Sequence, residues 1–206
     1  MNTELIVQIP PIDVQTIVHL QPLDGHRLSD DDFERFVREN PEMRIEQTKE
    51  GEIIIMPPTG GSTGKRNFEI NGQFYDWYKR NKNGVAFDSS TIFVLLNGAK
   101  RSPDLSWIKT ERWNALTKTQ QDKFPPLCPD FVVELRSKTD SLKDLQNKMN
   151  EYIENGAELG WLIDPANNNV YVYRQNKQPE ILNAPDKING DPLLPGFVLS
   201  LKEFWE

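Results

Sequence analysis

The chain predicts an α/β protein in which helices cover a sheet, and three observations carry that prediction. Two segments place apolar side chains at helical spacing, Phe68, Phe74, Tyr75 and Tyr78 in one and Leu142, Leu145, Met149, Tyr152 and Ile153 in the other. The run Phe131 to Leu135 is almost continuously apolar, as a strand covered on both faces must be. The order helix, several strands, helix, strand suits a layered arrangement. With 206 residues, 37% of them apolar and 27% charged, the chain can bury one core. One domain over 29–206 is expected, behind an N-terminal arm over 1–28.

Met1 to Leu28 carries prolines and no sustained period, with one short strand expected near Val14 to Leu20. Ser29 followed by three aspartates reads as a capped, acidic first turn, so a short amphipathic helix runs to Glu39 with Phe33, Phe36 and Val37 on one face. Met43 to Gln47 and Glu52 to Met56 read as a hairpin around Lys49-Glu50-Gly51. Pro57 to Gly64 reads as a loop and Asn67 to Arg80 as a helix. Strands follow at Val85 to Phe87, Thr91 to Leu96 and Asp104 to Ile108, and Thr110 to Gln121 forms a polar lobe or short helix. After Phe131 to Leu135 a helix begins around Thr139-Asp-Ser-Leu and ends at Asn155-Gly156. Leu159 to Asp164 and Val170 to Arg174 are strands about an Asn167-Asn-Asn turn; an edge from Ile181 and a terminal segment, Leu201 to Trp205, complete the order.

A single cysteine, Cys128, cannot form an internal disulfide, and no charged-then-apolar leader opens the chain, so a cytoplasmic location is expected. No apolar run approaches the roughly 20 residues of a membrane span. The net charge of −7 opposes generic nucleic-acid binding, which draws on clustered Lys and Arg. It leaves room for a local basic rim, for which Lys65, Arg66, Lys79, Arg80, Lys82, Lys100 and Arg101 are candidates; a solvated surface is the alternative for each.

Chemistry concentrates in two Pro-Asp runs, Arg101-Ser-Pro-Asp-Leu-Ser-Trp-Ile108 and Cys128-Pro-Asp-Phe-Val-Val-Glu-Leu-Arg-Ser137. Asp104 and Glu134 lie at or inside strands otherwise made of apolar residues, where a bare charge is costly unless a metal or partner satisfies it. Facing each other across paired strands, they would form a hydrolytic divalent-metal site. Alternatively, Asp104 caps a turn after Pro103 and Glu134 reaches solvent or pairs with Arg136. Asp130 follows Pro129 at a strand start, where turn chemistry accounts for it. Phosphodiester hydrolysis also needs a cation. Arg136 shares the strand face of Glu134, Lys138 lies just past the strand, and Lys148 lies on the next helix. At 100° per residue Lys148 sits about 40° from Tyr152 and about 60° from Leu145, at the edge of the core stripe. It can reach over the sheet, or it snorkels. Gln146 flanks the opposite edge.

Pro103-Asp-Leu-Ser-Trp, Cys128 to Ser137, Leu145-Gln-Asn-Lys-Met-Asn-Glu-Tyr-Ile-Glu-Asn-Gly156 and Gly160-Trp-Leu-Ile-Asp-Pro165 together resemble the Uma-type restriction endonucleases, formerly a domain of unknown function and abundant in cyanobacteria. That family belongs to the PD-(D/E)XK nuclease superfamily, and the resemblance runs from about Leu28 to Glu206. It implies a restriction-endonuclease-like core, a mixed β-sheet flanked by helices, and a hydrolase cutting DNA phosphodiesters with Mg²⁺ or Mn²⁺. On it, Asp104 and Glu134 hold the metal, and Arg136 stands where the superfamily has lysine. Lys148 is the lysine moved to the next helix, and Glu69 matches a glutamate often added from the first core helix. Cutting both strands would call for a homodimer.

Both histidines, His19 and His26, lie in the arm, which argues against a His-based triad or zinc site. Gly60-Gly-Ser-Thr-Gly-Lys65-Arg66 imitates a phosphate-cradling loop but has Thr59 for the first glycine and Arg66 for the magnesium-binding Ser or Thr. Lys65, Arg66 and Arg101 remain candidate DNA phosphate contacts, as does the helix N-terminus. Two other readings stand beside the endonuclease: a catalytically silent nuclease-like fold that binds nucleic acid or protein, and a hydrolase of another phosphate ester with a closed pocket.

Overall fold

The computed structural model describes residues 17–21 and 27–205. Most of the expected arm, with His26 and the start of the strand expected at Val14, lies outside the described residues. The elements run β1 (Val18–Leu20), α1 (Asp30–Glu39), β2 (Arg44–Gln47), β3 (Ile53–Met56), α2 (Gly61–Arg80), β4 (Gly84–Asp88), β5 (Phe93–Val94), β6 (Lys100–Arg101) and β7 (Leu105–Lys109). Then follow α3 (Thr110–Asn114), α4 (Lys118–Asp122), β8 (Phe131–Leu135), α5 (Leu142–Glu154), β9 (Leu159–Asp164), β10 (Asn169–Arg174), β11 (Glu180–Asn183), β12 (Lys187–Asn189) and β13 (Val198–Ser200), with a short 3₁₀ turn at Lys202–Phe204.

A mixed six-stranded sheet in the order β11-β10-β9-β8-β7-β4 is the centre of the molecule. Only β8 and β9 run parallel; the other pairs are antiparallel. The β8 strand is buried along its whole length, as its apolar run predicts. Its alternation sorts side chains to two cores. Phe131, Val133 and Leu135 pack with Ile70, Phe74 and Trp77 of α2 and with Phe197 and Leu199. Val132, on the opposite face, packs with Met149 and Tyr152 of α5 and with Leu162. The sheet is thus sandwiched between α2 and α5.

A second sheet, β1-β3-β2-β6-β5, lies over a smaller core of Phe33, Ile45, Ile53, Ile55 and Ile92. The described part of the arm belongs to it, since Val18–Leu20 pairs antiparallel with β3. Ser29 caps α1 by accepting from the Asp32 amide at 3.1 Å, and Ser141 caps α5 by accepting from the Asp144 amide at 3.3 Å. No helix among the described residues is long and apolar enough to cross a membrane.

Two boundaries differ from expectation. The α2 helix starts at Gly61, not Asn67, so half of the expected loop is helical. Glycines disfavour helix, but a helix already anchored by Ile70, Phe74 and Trp77 extends backwards one residue at a time without a new nucleus. The strand expected over Thr91 to Leu96 shrinks to Phe93–Val94. The chain turns there instead: Leu95 N donates to Ala99 O at 2.8 Å, Gly98 takes φ +86°, and Leu96 at the tip is 84% exposed.

Edge strand β4 is seated through Gly84, where a Cβ would meet the Trp107 ring at 2.2 Å and the Ile108 carbonyl at 2.4 Å. Neither neighbour is a flexible side-chain end. Gly84→Ala is therefore expected to destabilise the protein by about 1–3 kcal/mol in a urea melt; an unchanged midpoint would show that this edge yields.

Candidate active site

Antiparallel pairing of β7 with β8 sets Leu105 opposite Val133, so the register carries Asp104 level with Glu134 one residue further on. Both side chains leave the sheet on the α5 face, because Leu105, Val133 and Leu135 point to the other core. The Leu135 amide fixes Asp104 by donating to Oδ2 at 2.9 Å. Glu134 Oε1 accepts from the Tyr152 hydroxyl at 3.0 Å and lies 2.8 Å from Lys148 Nζ. Asp104, Glu134 and Lys148, singled out from sequence, are brought together.

The second sheet supplies what the sequence reading missed. Glu46 of β2, 2% exposed, accepts from Lys148 Nζ at 2.8 Å and from the Ser102 amide at 2.9 Å through Oε1. Its Oε2 accepts from Arg101 at 3.2 Å, and Arg101 Nε donates in turn to Glu151 at 2.6 Å. Lys148 is therefore shared by two carboxylates on two different sheets. Two residues before Glu46, on the same strand face, Arg44 places Nη2 3.6 Å from Asp104 Oδ1. The only local signal was the polar-apolar alternation Arg44-Ile45-Glu46, with Ile45 in the small core.

Charge in so dry a site shifts proton affinities. Burial, with the Asp104 and Glu46 carboxylates adding to it, pushes Glu134 up to about 7 against the pull of Lys148. Burial likewise raises Asp104, although Arg44, the Leu135 amide and Lys148 oppose it. Burial raises Glu46 too, but Lys148 and Arg101 outweigh it and hold that carboxyl low. Burial works to lower Lys148, yet Glu134 and Glu46 more than offset it, so the ammonium is retained. Burial and Glu134 hold the Tyr152 phenol protonated, which suits it as a donor.

Among the described residues no group of three or more His, Cys, Asp or Glu is arranged to hold a metal ion. The donor set here is a pair of carboxylates, which suits Mg²⁺: it keeps several waters and is held through one or two carboxylates plus substrate phosphate. Burial raises the proton affinity of both acids, and among the described residues Asp104 Oδ1 has no close hydrogen bond, with Arg44 at 3.6 Å. The residues present fit the ion.

The remaining candidates divide. Arg136, at the usual lysine position, is turned away from Glu134: its Nη1 donates to both oxygens of buried Asp164 at 3.1 Å, and Nε donates to Asp140 O. Glu69 does not line the groove, although the first turns of its helix, through Asn67, do. Gln146 also stays off the groove wall. Asp130 is a structural anchor, accepting from the Lys109 amide at 2.8 Å and from Arg112 at 2.8 Å. Of the proposed rim, Arg101 and Lys100 are buried, Lys100 against Asp30 and Gln47, and Lys65, Lys79, Arg80 and Lys82 lie off the groove. Arg66 lines it and donates to the Phe204 carbonyl at 3.2 Å. The groove is open and holds about 1260 Å³, with Lys138 and the Gly60-Gly61-Ser62-Thr63 start of α2 in its walls.

Against this geometry, the model of the Uma2 family, described as "Putative restriction endonuclease", matches residues 30–202. The chain belongs to this family. A solved structure from Anabaena variabilis, described as a "putative nuclease", matches with a TM-score of 0.67 and 22% identity over 78% of this chain and 89% of that one. That likeness carries the nuclease-type fold, a mixed sheet flanked by helices. No curated protein matches. In this Uma2 member Arg136 is held by Asp164, and a lysine from α5 stands beside Glu134.

Two measurements test this division. Arg136→Ala strips a fully buried aspartate of its cation and should cost about 3–5 kcal/mol in a denaturant melt; a loss under about 1 kcal/mol would show that Asp164 does not depend on it. Between about pH 4.5 and 7 native Glu134 binds a proton more tightly than it does in the unfolded chain, so its contribution to stability falls as pH rises. Metal-free wild type should therefore lose about 1–3 kcal/mol relative to Glu134→Gln between pH 5 and 8, and a difference independent of pH would contradict it.

Proposed function

We propose that this protein is an endonuclease hydrolysing phosphodiester bonds in DNA, with Mg²⁺ or Mn²⁺ held by Asp104 and Glu134. The observation that supports it most is the convergence of two buried carboxylates from adjacent strands with Lys148 at 2.8 Å from one of them, facing an open groove. Buried acids with raised proton affinity are costly to the fold, and a divalent cation relieves that cost. When bound, the ion supplies Lewis acidity, lowering the pKa of a water and neutralising phosphate charge.

The chain's own groups do the rest. Lys148, kept protonated and tethered to Glu46, donates a hydrogen bond that orients the attacking water. Tyr152 holds Glu134 Oε1 in place from below. The water gives up a proton to solvent as its oxygen forms a bond to phosphorus, the opposite phosphorus–oxygen ester bond breaks, and the departing oxygen takes a proton from solvent. An open groove admits a polymer strand, which favours nucleic acid over a small phosphate ester in a closed pocket. One such site cuts one strand, so double-strand cleavage calls for a homodimer.

A catalytically silent binding module is the second reading, favoured by the loss of most of the expected basic rim to buried ion pairs or to positions off the groove. Calorimetric titration of Mg²⁺ and Mn²⁺ into wild type and the Asp104→Asn/Glu134→Gln double variant, with plasmid nicking on the same samples, separates the two. Metal binding and nicking should vanish together in the variant while its fold is retained. A folded wild type that binds neither ion would favour the silent module.

A further inference from the structure

We propose that Arg44 binds the scissile phosphate, as a second cation that serves the site beside Asp104; this rests on the endonuclease reading. Arg44 stands on β2 next to the hairpin partner Met56 and lines the groove. Its side chain is 33% exposed. The 3.6 Å separation of Nη2 from Asp104 Oδ1 is too long for a hydrogen bond. Nε is buried and has no hydrogen-bond partner among the described residues.

The contrast with the other arginines around the site is chemical. Arg101 is taken up by Glu46 and Glu151, and Arg136 by Asp164 and the Asp140 carbonyl. A guanidinium carries five donors in a planar fork, and a buried donor without an acceptor is an incomplete interaction. Arg44 offers the partly exposed Nη end of this fork beside the two acids, at the groove wall, while Nε lies beneath it. Two adjacent oxygens of a tetrahedral anion match the fork, so the ligand class is a phosphodiester. A carboxylate ligand fits less well, because Asp104 and Glu134 line the same wall and repel it, whereas a phosphate oxygen also satisfies a cation held by those acids.

Negative charge on the non-bridging oxygens grows as water attacks, so a donor fixed there stabilises the transition state. Arg44 forms no covalent bond and passes no proton, since its guanidinium stays protonated. The ester bond breaks as described above.

The test uses full-length Arg44→Ala and Arg44→Lys. Mg²⁺ affinity is read by calorimetry, binding of a short duplex oligonucleotide in Ca²⁺ by fluorescence anisotropy, and nicking as kcat and KM with and without added guanidinium ion. Mg²⁺ affinity should stay within about threefold, oligonucleotide affinity should fall, and kcat should fall roughly 100-fold in Arg44→Ala, the scale of one lost transition-state donor. Guanidinium should restore part of that loss, and lysine should restore less than arginine because it lacks the fork. Unchanged kcat and oligonucleotide affinity would overturn the proposal, as would a loss that guanidinium does not rescue. If wild type binds the oligonucleotide without cutting it, the endonuclease reading fails alone, and the anisotropy of Arg44→Ala still decides for or against Arg44. If wild type does not bind it, both fail. Should Arg44→Ala not fold, Arg44→Gln carries the same readouts.

Discussion

Antiparallel pairing of β7 with β8 decides whether this molecule has a site at all. One register places Leu105 and Trp107 with Phe131, Val133 and Leu135 in the α2 core and, by the same alternation, sends Asp104 and Glu134 together to the α5 face. A slip of one residue turns one of the two strands over, which would carry one acid into the core of Trp161 and Phe197 and drive that strand's large side chains into the α5 core. Apolar burial on one face therefore enforces the juxtaposition of two like charges on the other, which the charges alone would resist. The Leu135 amide bond to Asp104 adds a local lock.

Around that constraint the molecule balances charge across two sheets. Glu46 and Arg101, from the smaller sheet, reach Lys148 and Glu151 of α5, which packs on the larger one. The pairs are buried, so removing one member leaves an uncompensated charge. Lys148 is held from two sides at 2.8 Å, a better-defined position than a lone strand-end lysine would have. Arg136 is then free for a structural task, tying the end of β8 to the end of β9 through Asp164.

Much of this was legible in the sequence, for physical reasons that differ by element. Pro-Asp before an apolar run marks a strand entered by a carboxylate, and the run at Phe131 to Leu135 could only be a strand covered on both faces. Lys148 was legible because helical phase is local: the stripe through Leu145, Met149 and Tyr152 fixes which neighbours share its side. Glu46 was not legible, because its partners Lys148 and Arg101 lie 102 and 55 residues away, and only the packing of α5 against the smaller sheet and the pairing of β2 with β6 join them. Arg101 misled for the same reason, since a basic residue beside a candidate site looks like a rim until its acid partners are placed. Glu69 lies just beyond the turns of α2 that reach the groove, a limit set by where the helix crosses the groove edge. The early start of α2 escaped because glycine propensity points one way and the packing of the later turns another.

A crystal grown or soaked with Mn²⁺ and measured for anomalous scattering tests the central claim most directly. An anomalous peak within about 2.0–2.3 Å of one Asp104 oxygen and one Glu134 oxygen, with waters completing the coordination, is the predicted result. A well-ordered site without that peak, with Lys148 still bridging Glu46 and Glu134, would contradict it.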